Sequence, residues 1–393
     1  MLMTTPTAAG TPLVTHAHAY PFGIEEEYFV VCPASKKLDD RSHKSLLAAC
    51  KRQLGSVVRS EMLRSQIEIS SPILTDFAQA RQELRTARGV LSEIAAQHDL
   101  GLVAAGTYPM AAWEEQRLTK HERYRQIHDE LQIVGRRNVL CGMHVHVQPP
   151  VNASRVDLMN RVLPYLPVLL ALSTSSPFWQ THRTGMKGYR LAAYDELPRT
   201  GLPPVFRNEG EYQLYLNALT SSGAMAEASH IWWAIRPSPR YPTLELRIAD
   251  SCTHLEDSLC LAAIFRCLIR CLVNNPALNA TMDQMWRHLV DENRWRAQRF
   301  GTEGAFIDIS SRSRLQPVAE VVDELLTLIG PDADELNCRT EVEHARAILR
   351  RGTSADQQLR RYDQARRDKK TRRAALIDVV DWLLVTTRTD LPH

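Results

Sequence analysis

Residues 22–31, Phe-Gly-Ile-Glu-Glu-Glu-Tyr-Phe-Val-Val, join the aromatic and β-branched composition of a strand to three consecutive carboxylates. Side chains alternate across a strand, so Glu25 and Glu27 share one face while Ile24, Tyr28 and Val30 take the other. Glu26, between them, should point away, toward the apolar side or an exposed edge. Two carboxylates roughly 7 Å apart on one face repel each other unless water or a cation lies between them. That spacing suits a hard divalent cation bound through oxygen.

Three further segments are built the same way. In residues 66–70, Glu68 faces opposite to Ile67 and Ile69. In residues 143–147, His144 and His146 oppose Met143, Val145 and Val147. In residues 244–248, Glu245 and Arg247 oppose Leu244, Leu246 and Ile248. For any one strand, an antiparallel sheet with a wet outer face is the better explanation. Wet faces, however, favour Thr, Lys, Ser and Gln, whereas these four hold Glu, His and one Arg, with no Lys. Together they point to a functional concave sheet face, and Glu61, seven residues before Glu68, can bring another carboxylate to it. The His-x-His pair alone could ligate zinc or iron. With acidic neighbours, an oxygen-rich Mg²⁺ or Mn²⁺ site is favoured over zinc.

Arginines form a second constellation: Arg183, Arg190, Arg236, Arg240, Arg247, Arg294, Arg296 and Arg299. Singly, each reads as a surface charge. Arg-Pro-Ser-Pro-Arg at 236–240 is the least ordinary, because proline-fixed turns hold arginines in place. Planar guanidinium forks bind carboxylates and phosphates bidentately. Carboxylates for a metal and arginines for anionic oxygens make the toolkit of phosphoryl transfer. The sequence contains neither a G-x-x-x-x-G-K-[ST] loop nor G-x-G-x-x-G, so neither a Walker nor a Rossmann site is supported.

At 393 residues and 44% hydrophobic, the chain can bury a large core. A net charge of +3 gives no field that argues for nucleic acid or a membrane surface. The basic run at 360–373 is interrupted by Asp363 and Asp368 and reads as a solvated helix face. Trp232 and Trp233 read as core residues at a strand edge. The eight cysteines include no C-x-x-C pair, and Cys267 and Cys271 fall at i and i+4 of an apolar helix, so reduced thiols and a cytoplasmic setting are expected. Residues 1–20 have no secretory pattern and read as a disordered leader; no membrane span is expected, since Pro164 and Pro167 interrupt the longest apolar stretch. Helices are expected over 42–54, 76–98, 120–134, 155–173, 209–222, 256–274, 276–299, 318–329, 339–351, 354–373 and 375–386, with further strands at 102–107 and 232–235 and a long functional loop at 176–208. Strands concentrated before residue 250 and helices after 256 argue an α+β fold, a mainly antiparallel sheet with a helical C-terminal part and no obvious linker.

Seven stretches occur in order between residue 22 and about 301: Phe-Gly-Ile-Glu-Glu-Glu-Tyr, Glu-Met-Leu-Arg-Ser-Gln-Ile-Glu-Ile, Gly-Thr-Tyr-Pro, Gly-Met-His-Val-His-Val, Ile-Arg-Pro-Ser-Pro, Leu-Glu-Leu-Arg-Ile-Ala-Asp and Asn-Arg-Trp-Arg-Ala-Gln-Arg-Phe-Gly. They resemble the YbdK-type carboxylate–amine ligases, the type 2 glutamate–cysteine ligase-like proteins. The resemblance implies a single domain over 21–393 like the catalytic domain of glutamine synthetase and the guanidino kinases. There a curved antiparallel sheet flanked by helices forms a funnel, with ATP and metals on its inner face. It implies ATP-dependent activation of a carboxylate, typically the γ-carboxyl of glutamate, as an acyl phosphate, and its capture by an amine such as that of cysteine. By similarity, Glu25, Glu27, Glu61, Glu68, His144 and Glu245 fall where Mg²⁺, or Mn²⁺, and nucleotide are held. Arg236 and Arg247 fall where substrate or phosphate is gripped, with Arg190 as a further catalytic position. Arg294, Arg296 and Arg299 match a motif expected to bind the nucleotide. The substrates are small molecules, not nucleic acid or membrane, and a homodimer is one arrangement left open. The competing classes are a zinc hydrolase built on His144 and His146, with His230, His254 or His288 as further ligands, and a catalytically weak nucleotide or amino-acid binder of the same fold.

Overall fold

The computed structural model describes residues 20–389 except Met282, Ser310 and Arg312. The expected leader lies outside the described residues apart from Tyr20, which is buried and whose carbonyl accepts from Arg266. The strands are β1 (Phe22–Cys32), β2 (Lys37–Leu38), β3 (Val58–Ser60), β4 (Gln66–Ser70), β5 (Gly101–Val103), β6 (Met143–Val147), β7 (Phe178–Trp179), β8 (His182–Arg183), β9 (Ile235–Pro237), β10 (Leu244–Leu246), β11 (Ala305–Ile307) and β12 (Leu315–Pro317). The first seven helices are α1 (His43–Leu54), α2 (Phe77–Gln97), α3 (Glu122–Arg136), α4 (Arg155–Val162), α5 (Leu166–Ser173), α6 (Tyr189–Tyr194) and α7 (Glu209–Ser221). The rest are α8 (Leu255–Asn274), α9 (Gln284–Phe300), α10 (Val318–Glu335), α11 (Arg339–Arg351), α12 (Ser354–Arg367) and α13 (Arg372–Thr389).

One antiparallel sheet carries the order β3-β4-β1-β6-β10-β9, with β2 and β5 pairing the second half of β1. The alternation read from the sequence sets its layers. Ile24, Tyr28, Ile67, Ile69, Met143, Val145, Val147, Leu244 and Leu246 are all sealed in the core on one face. Helices α2 and α8 cover that face, and α8 is buried nearly all round, as its apolar composition requires. The opposite face of β1 changes character along its length. Glu25 and Glu27 line open space, whereas Phe29 and Val31 sit in a second core with Tyr108, Val103 and the Leu376, Val379 and Leu383 side of α13. That second core closes the floor beside the charged half of the face.

Glu26 does point to the helix side, but as a buried ion pair rather than at an edge. Arg88 of α2 grips it with both prongs, Nε to Oε2 at 2.9 Å and Nη2 to Oε1 at 2.6 Å, and Ser258 of α8 donates at 2.5 Å. Several helix boundaries differ from expectation for local reasons. The 155–173 helix breaks into α4 and α5 at a 3₁₀ turn containing Pro164. Helix α9 starts at its Asp283 cap rather than at 276, and α10 runs past its expected end at 329 with Pro331 inside it. Helix α12 stops near Lys369, whose left-handed φ of 60° turns the chain into α13. The expected 176–208 loop holds the β7–β8 hairpin and α6. Residues 155–173 are the one described stretch long and apolar enough to cross a membrane, and 78% of it is buried inside the protein.

Candidate active site

Strand register places the charges in rows on the uncovered face. Glu27 lies opposite Glu68 across β1–β4, and Arg59 opposite Glu68 across β3–β4. Glu25 lies opposite His144 across β1–β6, while Glu245 is opposite both His146 and Arg236. Directly paired antiparallel residues point to the same side, so all of these enter one cavity of about 360 Å³. Residues 59–62, helices α3 and α6, and the turn 238–241 complete its walls.

At its floor, oxygens of Glu27, Glu61 and Glu68 lie within 4.8 Å of one another. Each is held by a neutral donor: Gly142 N–H to Glu27 at 2.6 Å, Met62 N–H to Glu61 at 3.1 Å, and the Ser70 hydroxyl to Glu68 at 2.9 Å. Position is fixed by these bonds, while the nearest cation in ion-pair range among the described residues is a single arginine, Arg59, 3.9 Å from Glu68. Burial and the neighbouring Glu27 push Glu61 up to about 7, and burial with Glu25 and Glu61 nearby drives Glu68 well above the usual range. Burial also raises Glu27. Three clustered hard oxygen donors, one buried and two half-buried, that resist ionising together fit an Mg²⁺- or Mn²⁺-type cation.

The other expected ligands have different partners. Glu245 accepts both prongs of Arg236, at 2.8 and 3.1 Å, and Arg247 Nη1 at 2.6 Å. Burial alone would raise Glu245, but Arg247 and Arg236 outweigh it and keep it ionised. Glu25 faces His144 at 3.3 Å and His146 at 3.7 Å. Burial, reinforced by Arg247, drives His144 down to about 4, so near neutral pH its ring is uncharged and serves Glu25 as a neutral hydrogen-bond donor. The His146 Nδ1 pairs with the Thr243 hydroxyl at 2.9 Å.

Arg190 enters from α6, almost wholly buried, donating to the Ala249 carbonyl at 3.1 Å with Asp250 4.0 Å away. Asp250 accepts the Ser175 N–H at 3.0 Å and the Ser176 hydroxyl at 2.6 Å. Two glycines make room for this pair. A Cβ on Gly142 would stand 2.2 Å from Arg190 Nη2, and one on Gly106 would stand 2.6 Å from Asp250 Cγ. Both glycines belong to stretches singled out in the sequence, Gly-Met-His-Val-His-Val and Gly-Thr-Tyr-Pro, and the reason is clearance.

The structure thus brings Glu25, Glu27, Glu61, Glu68, His144, Glu245, Arg190, Arg236 and Arg247 into one cavity. Arg294, Arg296 and Arg299 do not line it. Arg294 pairs with Asp195 at 2.6 Å and Asp291 at 2.8 Å, bracing α6 against α9. Arg296 and Arg299 lie over the Phe300 ring. The three-carboxylate group is the one arrangement among the described residues with metal-holding geometry, and no histidine belongs to it. Sequence reasoning missed Asp250, although it ends the Leu-Glu-Leu-Arg-Ile-Ala-Asp stretch, and it missed Arg59 and Tyr241, which lack any motif signal.

The model of glutamate–cysteine ligase family 2 matches residues 21–378 of this chain. A protein of Rhodospirillum rubrum named "Putative glutamate--cysteine ligase 2" is 46% identical over 377 residues, 94% of this chain and 96% of its own. A protein of the same name from Bradyrhizobium diazoefficiens is 44% identical over 383 residues, 96% of this chain and 88% of its own. Among solved structures, the glutamate–cysteine ligase of Francisella tularensis in complex with AMP matches with a TM-score of 0.67 and 11% identity, over 94% of this chain and 89% of that one. The bifunctional glutathione synthetase of Pasteurella multocida matches with a TM-score of 0.69 and 13% identity, over 95% of this chain and 53% of that one. At such identities the two structures speak for the fold, and the relatives speak for the family. The chain belongs to glutamate–cysteine ligase family 2 and is an ATP-dependent carboxylate–amine ligase.

Proposed function

We propose that this ligase activates the γ-carboxylate of glutamate and joins it to an amine such as that of cysteine, at the cavity floored by Glu27, Glu61 and Glu68. The observation that carries the reading is one cavity in which three clustered carboxylates share the walls with Arg190, Arg236 and Arg247. Glu27, Glu61 and Glu68 would hold Mg²⁺ or Mn²⁺, which supplies charge neutralisation at the polyphosphate. A glutamate carboxylate oxygen attacks the γ-phosphorus of ATP, the bond to ADP breaks, and an acyl phosphate forms. The amine nitrogen then attacks the acyl carbon, phosphate leaves with the C–O electron pair, the nitrogen sheds a proton, and an amide remains.

The chain's own contribution is placement and charge. Arg236 and Arg247 are fixed by Glu245, and Arg190 by carbonyls and Asp250, so their guanidinium groups are oriented before substrate arrives. Such preorganised donors stabilise charge on oxygens in transit without rearranging. No side-chain nucleophile is needed.

The test is ATP-dependent phosphate release with glutamate and a panel of amines, in the wild type and in Glu27→Gln and Glu68→Gln. Release should require glutamate, an amine and a divalent cation together, and both variants should lose it while remaining folded. Full activity in both purified variants would sink the assignment.

A further inference from the structure

We infer that Arg240 is the specificity-determining residue for the amine, gripping a carboxylate that the amine substrate itself carries; this rests on the ligase reading above. Most guanidinium groups in the cavity are already occupied. Arg236 is taken up by Glu245 and the carbonyls of Ser229 and Ile231, Arg247 by Glu245 and the Tyr194 hydroxyl, and Arg190 by backbone carbonyls. Arg59 lies 3.9 Å from Glu68, a member of the carboxylate group. Arg240 also lines the cavity, yet its guanidinium meets no carboxylate or carbonyl among the described residues.

Its position is built. Arg240 sits in the β9–β10 turn, where Pro237, Pro239 and Pro242 fix the backbone. The turn closes through the Ser238 N–H to the Thr243 carbonyl at 2.9 Å, and the Ser238 hydroxyl accepts the Arg240 and Tyr241 N–H groups at 3.4 and 3.2 Å. From behind, Arg155 of α4 donates to the carbonyls of Ser238, Tyr241 and Thr243 at 3.0, 3.0 and 3.2 Å. The Arg240 guanidinium lies over the Tyr241 ring, 5.3 Å from its centroid. A stacked, pre-placed and unengaged fork at a cavity mouth loses little entropy on binding an oxyanion bidentately.

The oxyanion is assigned to the amine rather than to the nucleotide because of where the turn lies. Tyr241, Pro242 and Thr243 line an adjoining cavity of about 260 Å³, which shares Glu25, Arg59, His146 and Tyr241 with the first and is otherwise walled by residues such as Pro21, Ile24, Pro72 and Ile73. The polyphosphate is assigned to the floor carboxylates Glu27, Glu61 and Glu68, with the cation they would hold. An amine entering by this side cavity passes Tyr241, which lines both cavities and carries the Arg240 guanidinium over its ring. An α-amino acid satisfies that geometry; a simple alkylamine leaves the fork empty.

The test measures ATP-dependent phosphate release with glutamate and matched amines, cysteine against cysteamine and 2-aminobutyrate against propylamine, in the wild type, Arg240→Gln and Arg240→Lys. The wild type should prefer the carboxylate-bearing amine by roughly 10- to 100-fold in kcat/KM, the effect of one charge-assisted bidentate contact. Arg240→Gln should erase that preference through the KM for the amino acid, leaving the KM for ATP unchanged, and Arg240→Lys should restore it in part. Equal use of both amines by the wild type, or an Arg240→Gln variant whose KM for ATP rises, overturns the inference and leaves the ligase reading standing. Absence of phosphate release with every pair overturns the ligase reading, and the inference with it.

Discussion

Glu26 stands between two site carboxylates, yet its environment predicts an opposite phenotype. Both Glu26 and Arg88 are 1% exposed, and Arg88 also donates to the Cys252 and Thr253 carbonyls at 3.0 and 3.2 Å. Glu26→Gln keeps the shape but leaves Arg88 as a buried cation without its counter-charge. Removing one partner of such a pair costs about 3–5 kcal/mol. With an unfolding entropy of ~2.1 cal/mol/K per residue, the 393-residue chain gains ~0.8 kcal/mol/K, so the melting temperature should fall by roughly 4–6 °C. Calorimetry or circular dichroism would read this directly. Glu27→Gln should stay within about 1 °C of the wild type, because it removes a charge from a crowded, repulsive group. The double variant Glu26→Leu/Arg88→Met should recover most of the loss, since well-packed apolar residues replace buried ion pairs at little cost. A Glu26→Gln variant as stable as the wild type, or a double variant as unstable as the two single losses combined, would refute the reasoning.

Three further outcomes follow from particular contacts. Gly142→Ala should lower kcat by at least about 100-fold, since the new Cβ, 2.2 Å from Arg190 Nη2, displaces a preorganised guanidinium; a kinetic comparison with the wild type checks it. Arg294→Gln should leave the KM for ATP within about threefold and lower stability by about 1 kcal/mol, because Arg294 braces α6 through Asp195 outside the cavity; a tenfold rise in that KM would return it to nucleotide binding. Burial alone would raise Asp257, but His344 and Arg351 outweigh it and hold the carboxyl below its ordinary value. Its contribution is therefore full above the unfolded value of about 3.9 and is lost as pH falls through the folded one. The wild type should consequently lose stability more steeply than Asp257→Asn on acidification below about pH 4, as a melting-temperature series would show.

The layering of the fold was legible because period two is strong in these strands: Ile67 and Ile69 against Glu68, and Met143, Val145 and Val147 against the two histidines, leave one sheet face as the buried one. The helical boundaries were less legible where tertiary contacts override a local signal. Pro331 reads as a terminator, yet α10 continues through it to Glu335, with Asp332 of that last turn bound to Arg270 of α8. Phe29 and Val31 were equally hidden. They share the face of Glu25 and Glu27, and packing from distant segments, Val103, Tyr108 and above all α13, decides that this half of the face is sealed.

The site was legible as a face and not as a set of partnerships, for a reason that lies in strand register. Alternation tells which residues look into the cavity, whereas register decides which of them touch. Glu27 meets Glu68 because β1 and β4 pair at that step, and a loop of no regular structure brings Glu61 to the same point. Two residues earlier along β1, Glu25 meets His144 instead, a displacement of roughly 7 Å that moves a carboxylate from one kind of neighbour to another. Glu245, one strand further, meets Arg236 and is committed to orienting arginines. Six candidate ligands, five glutamates and one histidine, therefore divide into three roles. The division depends on pairings between segments as much as 119 residues apart, as Glu25 and His144 are, so no local window of the sequence contains it.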